Sequence, residues 1–149
     1  MDNYTGNGEA AVGTDKTVLT LISAATVRPH LYEFAISCDA TPADYMTNFV
    51  IMRFTAVGTE GSGFTPVLLD PSSPAALCDC GVGTFSVEPT YTASSVLWNM
   101  SLHQRGSFRW MAYPGKELIA PATASNGLGL KATGSGSTQV HQAVFYWHE

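Results

Sequence analysis

Apolar and polar residues alternate with a period of two along most of this chain, the spacing of half-buried strands rather than helices. Val18 to Ile22 reads as a short strand. Leu31 to Cys38 sets Tyr32, Phe34, Ile36 and Cys38 against Glu33, Ala35 and Ser37. Asn48 to Val57 carries Val50, Met52, Phe54 and Ala56 on one face, and Phe49 and Ile51 make its other face apolar before Arg53 and Thr55 restore polarity. Phe64 to Leu69 and Thr84 to Tyr91 follow. Between them, the run from Asp70 to Cys78 fits one helical turn, with Asp70 or Ser73 as cap and proline early. Ser95 to Gln104 points Val96, Trp98, Met100 and Leu102 inward and Asn99, Ser101 and His103 outward. Phe108 to Tyr113, Leu118-Ile119 and Leu128 to Ala132 are further strands. Pro114-Gly115 and Asn126-Gly127 punctuate them as turns, and Gly134 to Ser137 is a polar loop.

The closing segment, Gln139 to Glu149, is apolar on both alternating faces. Val140, Val144 and Tyr146 share one; Ala143, Phe145 and Trp147 share the other. Such a strand needs cover on both sides, from its own fold on one and often from another chain on the second. Phe49, Ile51, Phe145 and Trp147 are therefore the expected contacts between sister copies. Arg105 and Arg109 are candidates for ion pairs across the same interface, or for a bridge to nearby Glu117 within the chain.

Short strands at roughly ten-residue spacing, without a convincing helix, predict an all-β fold: an antiparallel two-sheet sandwich, jelly-roll-like. An immunoglobulin sandwich competes, but its Cys-Trp-Cys signature is missing. Residues 1–16 hold few large apolar side chains beyond Tyr4 and Val12, so they read as an extended arm, flexible or ordered by a partner. The sandwich then spans 17–149.

Charge narrows the partners. Only 13% of the 149 residues are charged, against 45% hydrophobic, with a net charge of −5. No basic stripe exists to neutralise phosphates, which argues against nucleic acid. Apolar runs are far too short for a spanning helix, which argues against a membrane role. The N-terminus lacks the charged and apolar regions of a secretory signal, so synthesis and folding are expected in cytoplasm. Three cysteines cannot form a complete disulfide framework. Cys38 reads as a small strand hydrophobe, and Cys78-Asp-Cys80 as a turn with reduced thiols rather than half a zinc site. No cofactor is expected.

No catalytic constellation assembles in the pattern. Gly61-Ser62-Gly63 lacks the spacing of a nucleophile elbow. His30, His103, His141 and His148 stand singly, and no His-x-His pair is present. Asp70, Glu88 and Glu117 could serve glycoside hydrolysis only by converging in space.

Several phrases resemble small proteins of tailed bacteriophages and prophages: Glu60 to Pro71, Glu88-Pro-Thr-Tyr-Thr, Gln104-Arg-Gly-Ser-Phe-Arg-Trp, Pro114-Gly-Lys-Glu-Leu-Ile-Ala-Pro, and the ending Phe-Tyr-Trp-His-Glu. The likeness runs from about Leu19 to Glu149. It implies a capsid decoration, or cement, protein: a jelly-roll-like homotrimer on the virion exterior that binds the major capsid protein and has no catalytic residues. Under that reading Asn3, Tyr4, Val12 and Lys16 belong to a capsid-binding arm. The alternative is a tail- or baseplate-associated carbohydrate-binding or adhesion domain, with Tyr91, Trp110 and Tyr113 stacking on sugar rings.

Overall fold

Twelve strands form two six-stranded antiparallel sheets in a computed structural model that describes residues 1–39, 41–134 and 138–149. The polar loop expected over 134–137 lies, from residue 135 on, outside the described residues. The strands are β1 (Asn3–Val12), β2 (Lys16–Ile22), β3 (His30–Cys38), β4 (Met46–Ala56), β5 (Ser62–Phe64), β6 (Val67–Leu68), β7 (Asp79–Val82), β8 (Thr90–His103), β9 (Phe108–Met111), β10 (Leu118–Ile119), β11 (Gly127–Thr133) and β12 (Gln139–His148). One sheet runs β10-β3-β12-β1-β6, with β9 beside β3; the other runs β5-β7-β2-β11-β4-β8.

The chain changes layer at each step from β1 to β4 and again from β8 to β9 and from β10 to β12, so β1-β12-β3-β9 faces β2-β11-β4-β8. That is the strand order of a jelly roll, two Greek keys folded over one another. The excursion β5 to β7, between β4 and β8, widens the far edge. No helix occurs among the described residues. Asp70 begins a tight turn instead of a helical one: its carbonyl accepts from Ser73 N at 3.0 Å and its Oδ1 from Ser72 N at 2.8 Å.

The expected arm is corrected by the structure. β1 pairs with β12 over its whole length, from Asn3 opposite His148 to Val12 opposite Gln139. Tyr4 and Val12 are buried, Asn3 O accepts from Leu69 N, and Lys16 begins β2 and pairs with Glu88. The glycines that made this stretch read as floppy serve close packing. A Cβ on Gly6 would stand 2.5 Å from Cys80 Sγ, and one on Gly8 would stand 2.7 Å from Val82 Cγ1. β1 crosses β7 too closely for side chains there.

The core lies between the sheets. Tyr4, Phe34, Ile36, Phe145 and Trp147 project from one, and Leu19, Leu21, Phe49, Ile51, Leu128 and Leu130 from the other. Two expected strands depart from the pattern. Between Ile51 and Met52 the β4–β8 register shifts, so Val96 pairs with Met52 and points outward, while Trp98 pairs with Ile51 and points in. Residues 83–89 form no strand beyond a single bridge at Val87. They strap the outside of the second sheet, burying Phe85 and bringing Glu88 onto β2.

Candidate interaction surface

The aromatic residues expected between copies sit inside one copy. Phe49, Ile51, Phe145 and Trp147 are at most 2% exposed. The opposite sheet covers them, since each sheet's inner row is the other's cover. Tyr4 stacks on Trp147 at 6.0 Å, and Phe34 meets Phe145 edge-on at 6.5 Å. This corrects the interface assignment: the two-faced strand lends its Ala143, Phe145, Trp147 side to the core, and its Val140, Val144, Tyr146 side faces out.

The arginines are corrected as well. Arg105 Nε reaches Asp44 Oδ1 at 2.6 Å and Arg109 Nε reaches Glu33 Oε1 at 2.6 Å, both within the chain. Glu117 instead accepts from Gly115 N at 3.0 Å and closes the Pro114-Gly115 turn. Both arginine side chains stay largely exposed, where such pairs add little stability.

The outward face of the first sheet is the most extensive candidate site. Adjacent strands align Thr5, Tyr146, Glu33 and Met111 in one row and Asn7, Val144, Ala35 and Arg109 in the next. A third row holds Glu9, Gln142 and Ser37. Gly8, Ala35 and Ser37 are short beside Tyr146, Arg109 and Gln142, so the surface dips into an open trough of about 790 Å³. The Arg109–Glu33 pair stands near one end. At the other, Gln142 Nε2 donates to Asp39 Oδ2 at 3.2 Å. Sequence reasoning missed this surface because it assigned the exposed role to the larger side chains. Size favoured their burial instead.

Other chemistry-bearing residues are engaged locally. Glu88 Oε2 accepts from Thr17 N at 3.0 Å and from its hydroxyl at 2.5 Å, Asp70 holds its own turn, and Glu117 holds another. These three carboxylates do not converge. Glu60 lies over Gly81; burial, then the charge of Asp79, pushes its carboxyl pKa up. The Cys78 thiol is pushed up to about 12 and Cys80 further, chiefly by burial, so neither offers a thiolate. His30 and His148, single in sequence, meet across β3 and β12 with ring centroids 4.8 Å apart. Among the described residues no three His, Cys, Asp or Glu side chains group to hold a metal ion.

Of the rings offered for sugar stacking, Tyr91 packs edge-on against Phe54 and bonds to Thr17, and Trp110 stacks on Phe34; Tyr113 alone projects, 83% exposed.

The architecture defines an all-β protein of the two-sheet sandwich class. No family model matches the chain, and no curated protein or solved structure is significantly similar to it.

Proposed function

We propose that this protein is a non-enzymatic structural component of a phage virion, a trimeric cement subunit that stabilises the capsid shell from outside. The phrase-level resemblance supplies the context. The observation that carries the reading is the outward face of β1, β12 and β3: a broad sheet surface with an open trough, where Asn7, Val144 and Ala35 lie between Glu9 and the Arg109–Glu33 pair. A flat surface of this kind suits contact with another folded surface. In this reading the sheet lies against the major capsid protein, with Val144 and Tyr146 at the centre of the contact. The carbohydrate-binding alternative loses Tyr91 and Trp110 as platforms, since both rings pack within the fold.

The test combines mass and binding. Light scattering of the purified protein should give a multiple of three chains, and the protein should sediment with expanded heads of the parent phage. Val144→Asp, on the half-exposed face, should leave the fold intact and cut head binding at least tenfold, since it places an unpaired charge in a desolvated contact. A monodisperse single chain that never binds expanded heads would sink the reading.

A further inference from the structure

Strand β8 runs fourteen residues at the end of the second sheet, and among the described residues β4 is its only ladder partner. From Trp98 to Leu102 its other edge therefore presents backbone N–H and C=O groups with no ladder partner among the described residues. Proteins blunt such edges with charges, proline, bulges or brevity. β5, β6, β9 and β10 are brief, at two to four residues each. β8 is not. From Thr90 to Leu102 it contains no Lys, Arg, Asp, Glu or Pro. Its register shifts all fall at or before Trp98, so Trp98 to His103 forms a straight ladder against Met46 to Ile51. Those six residues leave roughly 20 Å of regular edge open.

We infer that a second copy of this chain occupies this edge, its own β8 pairing antiparallel so that two second sheets become one continuous sheet. A row of alternating donors and acceptors is satisfied best by another extended strand. The identical strand fits because nothing in it repels itself. With the two-fold axis at Asn99, each Trp98 faces the other copy's Met100, and the two Asn99 amides face one another. Asn48 orients that amide, donating to Asn99 Oδ1 at 2.7 Å and to Ser101 Oγ at 3.2 Å. Behind the edge, Trp98 stacks on Phe108 at 5.3 Å and meets Phe34 edge-on at 5.0 Å. The pairing thus extends an aromatic seam already built into each sandwich, and Met100, 37% exposed, gains cover. A two-fold contact of this kind is self-complementary and closed.

This contact does not rest on the virion reading, and it doubles whatever assembly the chain otherwise forms. Asn99→Lys puts two like charges on the axis while leaving each solitary fold intact, as circular dichroism and melting would verify. Light scattering should show its mass at half that of the wild type, whether six chains fall to three or two fall to one. A mass equal to the wild type's overturns the inference and leaves a trimer untouched; a wild type that is a single chain at all concentrations overturns both. Hydrogen exchange on the unmodified protein gives an independent reading. The β8 amides facing away from β4 should exchange more slowly as concentration rises, and fast, concentration-independent exchange would count against the pairing.

Discussion

Trp147 shows at the residue scale how burial, not exposure, governs the two-faced terminal strand. Its ring is fully buried against Tyr4, opposite the second sheet, and its Nε1 has no hydrogen-bond partner among the described residues. Its worth therefore lies in packing. Truncating a buried aromatic of this size costs about 3–5 kcal/mol through lost contacts and the cavity left behind. Trp147→Ala should lower unfolding free energy by that amount in urea titration. Trp147→Phe should cost clearly less, because the lost N–H bonds nothing and a ring still fills the site. Neither change should alter the oligomer's mass at concentrations where the protein remains folded. A folded Trp147→Ala variant with unchanged stability but a smaller assembly would restore the original view of this ring as an intersubunit contact.

β1 teaches the same lesson for an element. Its sequence, Asn-Tyr-Thr-Gly-Asn-Gly-Glu-Ala-Ala-Val, lacks the run of large hydrophobics that marks β2, β3 and β12. Period-two alternation made those strands legible, along with the sandwich class they support. It failed at β1, where Gly6 and Gly8 face inward against Cys80 and Val82, and at β7, whose inward residues Cys80 and Val82 flank a Gly81 that lies under Glu60 on the other face. Composition reports side-chain area, and these strands are held by ladder bonds and proximity. It failed differently at β8, where a register shift reverses Val96, and at residues 83–89, where alternation belongs to a strap. The strap is fastened by Glu88 on Thr17 and by Phe85 beneath it, neither visible as a strand partner in sequence. Deleting residues 1–12 should accordingly abolish the fold rather than trim a tail. It removes Tyr4 and Val12, each worth about 1.5–3 kcal/mol of burial, and opens the β12 edge, against a total stability of about 5–15 kcal/mol. Circular dichroism melts test this directly: a truncated protein with the wild-type transition would return the segment to the status of an arm.

For the whole molecule, acid stability follows from the polar groups the sandwich encloses. His141 projects inward near one end, its Nε2 3.3 Å from Thr47 Oγ1, and Thr47 in turn accepts from Gln104 Nε2 at 3.3 Å. The Thr47 hydroxyl is thus free to donate to an unprotonated Nε2, an arrangement that suits the neutral imidazole. Burial holds the pKa of His141 below the ordinary 6.5, against an opposing backbone bond at Ser37. His148 is also lowered, first by burial and then by His30, with Glu117 opposing. In the unfolded chain both rings take up protons as pH falls below about 6.5, while the folded protein resists. The unfolded state then binds more protons, so this stability is complete above 6.5 and drains away as pH drops through the folded values. Glu60 acts in the reverse sense. Its raised pKa adds stability that is full below the ordinary 4.5 and is lost as pH rises through its folded value, so where the windows meet its gain on acidification opposes the histidine loss. The melting temperature should therefore be level at neutral pH and decline on acidification through about 6. His141→Gln, which keeps an amide to meet Thr47 without a proton to gain, should decline less steeply. Identical slopes in variant and wild type would remove His141 as the cause. A wild-type melting temperature that rises over this interval would overturn the histidine account.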